Sequence, residues 1–250
     1  MSEANVRLSR AAASQAVQPL GWRYALATLL TSVPVRSLAE GGRVAETALA
    51  ACGPDADGHL RLDLRPDRVE LSLRTRALGA VTTRDTELAG WITQALADEG
   101  HRTAGATAAE LARPVQSLEI AIDALYIPAI RPFWKAVLAY ADEPGAGGAE
   151  DAIVDPVGQL PTVWFQQMDA PRPQRNRIHL DVTVAHDEAE ARVQAALAAG
   201  GVLVSAAFAS AGLDPGGRRG QRGVRLHVAR PRRGRTSGVS EMPADGPQTR

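Results

Sequence analysis

Apolar and polar positions alternate most cleanly over "HLRLDL" and "RVELSLRTR". In the first run Leu60, Leu62 and Leu64 share one side. In the second Val69, Leu71 and Leu73 face one way, and Arg68, Glu70, Ser72 and Arg74 the other. A period of two marks strands buried on one face, and "RPD" between the runs is a tight connection. On either side the period lengthens. "SLAEGGRVAETALAAC" gathers Leu38, Val44, Ala45, Ala48 and Leu49 near one helical face, with Gly41 and Gly42 weakening the helix. "GPDADG" is turn chemistry. "TTRDTELAGWITQALADEG" offers Thr82 or Thr83 as N-cap, Asp85 or Glu87 in the first turn, and a stripe of Leu88, Trp91, Ile92, Ala95 and Leu96 closed by Gly100. Helices on one face of a small antiparallel sheet predict an α+β domain.

A Gly/Ala-rich stretch, "DEGHRTAGATAAELARP", follows and reads as a linker with a short helix in "TAAELA". Beyond it the chain repeats. Set over one another without a gap, "LEIAIDALYIPAIRPFWKAVLAY" from Leu118 and "IHLDVTVAHDEAEARVQAALAAG" from Ile178 align strand with strand and helix with helix. Glu119 falls on His179, Ile122 on Val182, Phe133 on Val193 and Val137 on Leu197. "AIVDP" and "TVWFQQM" supply two further strands, so each repeat reads β-α-β-β. Two such units pair their sheets around a shared cleft.

Composition narrows the chemistry. The 28 basic and 28 acidic residues cancel, which leaves small molecules and proteins, rather than nucleic acid or membrane, as the expected partners. The balance is uneven, with eight arginines and no acidic residue between Arg218 and Arg235. Cys52 is the single cysteine, which excludes an intrachain disulfide and a cysteine-rich metal cage. The N-terminus lacks the apolar core of a secretory signal, and "YALATLL" is too short to span a bilayer, so a cytoplasmic location is expected.

The second region, about Pro114 to Val204, resembles the vicinal oxygen chelate superfamily in its glyoxalase-like branch. The resemblance rests on "RPFWKAVLAY", on Asp155–Pro156, and above all on "PRPQRNRIHLDVTV", which matches the family's K-x-x-K-N-R-x-H-L-D segment. It implies paired β-α-β-β-β modules. In metal-using members a divalent ion sits on strand residues at equivalent positions of the repeats. His179 occupies one such position and Glu119 its mate. A divalent site needs three or four ligands and only these two can be named, so a bound metal is not expected. No other cofactor is implied.

The first region, about Leu20 to Leu96, resembles pterin-4a-carbinolamine dehydratase. "LGW" at Leu20–Trp22 fits that family's early tryptophan. "RVELSLRTR" with "VTTRDTELAGWI" fits its R-V-x-V-x-L-x-T-H and L-T-x-x-D-x-x-L-A-x-x-I segments. The same alignment lays "DGHL" on D-H-H-P. Asp57 and His59 therefore match, while the first family histidine is Gly58, the proline is Leu60, and the histidine of T-H is Arg76. The resemblance implies dehydration of a 4a-hydroxytetrahydropterin, with His59 as acid/base, Asp57 orienting it and Arg76 contacting the ligand. Imidazole suits such proton transfer because it titrates near neutrality. Arginine cannot serve as the base. The rival reading is a non-catalytic small-ligand binding protein on two repurposed enzyme folds. A third is a metal-dependent lyase or dioxygenase centred on His179. His101 and His186 are expected to be solvated.

The tail from Gly212 departs from the repeat into Gly, Arg and Pro. Back-translated and read one base over, Leu213 to Arg233 can encode the family's usual ending with its D-x-E-G-N-E turn, which points to a frameshift between Ser205 and Gly212. An RNA-binding tail is the alternative. The expected architecture is therefore α+β: a dehydratase-like helix-on-antiparallel-sheet domain over 1–97, a linker over 98–113, paired βαβββ modules of vicinal oxygen chelate type over 114–211 with their last strands lost, and a disordered tail over 212–250. Association into a homo-oligomer would suit the dehydratase-like part.

Overall fold

The computed structural model describes residues 5–104, 116–146, 148–171, 180, 182–185, 187–203 and 223–224. Two compact units divide the chain, one of residues 1–131 with 140–171, the other of 132–139 with 172–250. The architecture is mixed α+β.

Helix α1, Arg10–Val17, is capped by the Ser9 side chain, which accepts from the Ala12 N–H, and buries Ala13 and Val17. Strands β1 (Arg23–Ala25) and β2 (Thr28–Pro34) form a hairpin. Helix α2, Leu38–Cys52, starts at Ser37, whose hydroxyl accepts from the Glu40 N–H. After a 3-10 turn comes the short helix α3, Ala56–His59, then β3 (Leu60–Leu64) and β4 (Arg68–Leu73). Helix α4, Thr83–Asp98, completes the layer. The sheet runs β1-β2-β4-β3, all antiparallel, with Leu71 of β4 opposite both Thr31 and Leu62.

The predicted alternation of β4 holds: Val69, Leu71 and Leu73 are buried with Leu29 and Val33 of β2 against Val44, Ala48, Leu88, Ile92 and Leu96 of the helices. Trp22 lies wholly inside this core, its Nε1–H donated to Thr93 Oγ1 at 2.9 Å. Two stripes differ from expectation. Leu38 and Leu49 are exposed, and α2 turns Gly41 inward instead. A Cβ there would stand 3.3 Å from Val69 Cγ2, so the glycine lets the helix lie close on the strand. Trp91 is 46 % exposed rather than core, with the Arg84 guanidinium 4.5 Å over its ring. The turn expected over "GPDADG" is helical, and this puts His59 at the end of α3. The start of the expected linker is packed: Ala104 exchanges backbone hydrogen bonds with Ser32, and Thr103 Oγ1 donates to the Leu20 carbonyl. The helix expected in "TAAELA" lies outside the described residues.

Further along, β5 (Glu119–Ala124), α5 (Ile127–Leu138), β6 (Ala141–Asp142), β7 (Ile153–Val154) and β8 (Thr162–Gln167) follow in order. Their sheet runs β5-β8-β7-β6, with β5 and β8 parallel. This is the β-α-β-β-β module. Between β7 and β8, Asp155 accepts from the backbone N–H groups of Val157, Gln159 and Leu160. Burial raises the pKa of this carboxyl, and the N–H groups of Leu160, Val157, Gln159 and Gly158 outweigh it, so the net shift is downward. In the second unit β9 (Val182–Thr183) and α6 (Ala189–Ala198) occupy the repeat positions of β5 and α5. Phe133, Val137 and Ala196 form that unit's small core. The tail expected to be disordered contains one described element: β10, Gly223–Val224, pairs antiparallel with β9. The rest of it lies outside the described residues.

Candidate active site

Four side chains that meet in one buried network, His59, Thr75, Thr82 and Asp85, come from three places in the chain. His59 ends α3, and its carbonyl accepts from the Arg74 N–H at 3.1 Å, which ties it to the end of β4. Thr75 follows β4 directly. Thr82 and Asp85 make the capping box of α4, in which the Thr82 hydroxyl meets the third helical N–H and the Asp85 carboxylate reaches back to the Thr82 N–H. The β4-to-α4 connection therefore brings Thr75, Thr82 and Asp85 under the imidazole.

Asp85 has no exposure and His59 only 9 %. Asp85 Oδ2 accepts from the Thr75 N–H (3.2 Å), the Thr75 hydroxyl (2.8 Å) and the Thr82 N–H (2.7 Å). Its Oδ1 lies 2.7 Å from His59 Nδ1. Thr75 Oγ1 stands 3.3 Å from the same nitrogen and 2.8 Å from Thr82 Oγ1. A carboxylate can only accept, so Nδ1 carries the proton and, in the neutral ring, Nε2 carries the lone pair. Nε2 has no hydrogen bond among the described residues and is not one of the buried unpaired atoms, so the ring's remaining exposure includes it. The result is an oriented imidazole with one nitrogen fixed and the other open.

Asp57, expected to orient His59, does not do so. It is exposed, and it stands two residues earlier on the same short helix, a spacing at which side chains do not face one another. The orienting carboxylate is Asp85. Its sequence signal was present in the T-x-x-D of the cap, which by itself accounts for an acidic residue there. Arg76 is exposed and donates from Nη2 to the Leu60 carbonyl at 2.7 Å, one residue beyond His59. His101 is half-buried and its backbone N–H donates to the Leu96 carbonyl. His186 lies outside the described residues.

Glu119 opens β5 on the exposed face it shares with Ala121 and Asp123. Its proposed mate, His179, lies outside the described residues. Among the described residues no group of three or more His, Cys, Asp or Glu side chains is placed to hold a metal ion.

Comparison with known proteins bears on the second region. Residues 119–221 match the family model of a glyoxalase-like domain. This match covers the repeat and runs past Gly212, where the family pattern was expected to break. No curated protein matches the chain. Among solved structures, a transcriptional coactivator/pterin dehydratase from Brucella melitensis aligns at 24 % identity over 36 % of this chain and 97 % of its own, with a TM-score of 0.31. No described helix is long and apolar enough to cross a membrane.

Proposed function

We propose that the first region dehydrates a 4a-hydroxytetrahydropterin, with His59 as the proton-transfer group. The observation that carries this reading is the hydrogen bond between Asp85 Oδ1 and His59 Nδ1, which leaves Nε2 as the ring's free base. In the reaction the C4a–O bond breaks, the hydroxyl leaves as water, and N5 loses its proton as the C4a–N5 double bond forms. One imidazole suffices for the balance. Nε2 takes the N5 proton and returns it to the departing hydroxyl, with no net proton exchanged with solvent. Acid–base help of this kind is worth about 10²–10⁴ in rate. Asp85 holds the ring and stabilises the imidazolium formed in passing, and Arg76 contacts the ligand beside it.

The burial of the ring, 9 % exposed, favours a second reading in which the region binds a ligand without turning it over. Measured dehydration separates the two. The full chain is expected to exceed the spontaneous rate, and His59→Ala to fall back to it while keeping its circular dichroism spectrum. Equal rates for the two proteins, or a wild-type rate no faster than solvent, would discard the dehydratase reading. The glyoxalase-like domain is read as a small-molecule domain whose ligand its fold does not name.

A further inference from the structure

Arg76 is held at both ends of its side chain to the His59 network. Its backbone follows Thr75, which touches both His59 Nδ1 and Asp85. Its guanidinium is fastened at 2.7 Å to the carbonyl of Leu60, the residue after His59. One of five N–H donors is used there, and the others are left for a ligand. Arg65 holds Asp63, Arg68 holds Asp67 and Glu70, and Arg84 holds Asp55 and Glu87. Arg76 has no carboxylate partner among the described residues. A guanidinium already tethered by one bond loses little freedom when it meets a second group, and its planar fork fits carboxylate and phosphate oxygens.

We infer that Arg76 selects pterins whose side chain carries an anion, a carboxylate or a phosphate ester, over neutral ones. The inference rests on the dehydratase reading in placing the pterin at His59, and it assigns the substrate class of that same site. The neutral ring would sit against the imidazole and the anionic substituent against the guanidinium.

Binding of oxidised pterins to the full chain, followed by quenching of pterin fluorescence, tests it. Pterin-6-carboxylate is expected to bind about fivefold more tightly than 6-methylpterin at low salt, as suits one partly exposed charge pair, and the ratio should shrink as salt rises. A pterin bearing a side-chain phosphate ester, run alongside, tells which anion is preferred. Arg76→Gln keeps a donor for the Leu60 carbonyl and should bring the ratio to one, while Arg76→Lys keeps part of it. A wild-type ratio of one, or a preference that survives Arg76→Gln, overturns the inference. The dehydration assay tells its failure from that of the underlying reading. His59-dependent turnover without anion preference removes Arg76 alone. Anion preference without turnover removes the dehydratase and leaves an anionic-pterin binding site. Binding of neither pterin removes both.

Discussion

The two oxygens of the Asp85 carboxylate face different partners. Oδ2 holds the first turn of α4 to the Thr75–Thr82 connection, and Oδ1 holds His59. Helix start and imidazole are therefore fixed by one buried group, and replacing it would disturb both. Cys52, by contrast, is kept out of chemistry. It is 3 % exposed at the end of α2, and its thiol is pushed up to about 11 by burial first and by the nearby Asp55 second, against the opposing charge of Arg84. At pH 8 only about a thousandth of it is thiolate, and the thiolate is the reactive form. Native protein should therefore label slowly with a disulfide reagent at pH 8 and rapidly once unfolded. Rapid labelling of the native chain would show that the thiol is neither buried nor suppressed.

At the scale of elements, the hairpin of β1 and β2 shows why part of the fold was hidden in the sequence. Its two-residue loop is Leu26–Ala27, and both residues have positive φ, 46° and 54°. Such loops favour Asn-Gly, and an L-residue with a side chain in the left-handed region costs about 1–2 kcal/mol. With no turn residue to break it, "YALATLL" reads as one apolar run rather than a loop entering a strand. The double change Leu26→Asn with Ala27→Gly is expected to stabilise the chain by about 1–2 kcal/mol, read as a higher urea midpoint. An unchanged or lower midpoint would mean that the loop is not strained as described. Helix α1 was hidden for another reason: half of "RAAASQAV" is alanine, and only Ala13 and Val17 are buried. The stripe of α2 was misjudged because the pattern weighs large residues, and the contact with β4 is made by Gly41, which has none. By contrast β4 and the cap of α4 were legible, since strict alternation and a Thr-x-x-Asp each fix one local geometry.

For the whole molecule, the repeat announced β-α-β-β units with a second helix at matching positions; the chain adds one more strand to the first unit and places α6 at the position of α5. What the sequence did not disclose is the convergence of His59, Thr75, Thr82 and Asp85, because it exists only once β4, its connection and α3 are assembled. Asp57 was named because it matches the acidic residue of the D-H-H-P segment, and a local motif match does not tell which carboxylate reaches the ring; Asp85 does. The central claim is that the sheet and α4 present His59 Nε2, unprotonated in the neutral ring, to a pterin. Histidine nitrogen NMR on the full chain, with His59 assigned from His59→Gln, tests it most directly. The account predicts a proton on Nδ1, a lone pair on Nε2, and an Nε2 resonance that moves when an oxidised pterin is added. A ring protonated at Nε2 instead, or an Nε2 signal indifferent to saturating pterin, would contradict it.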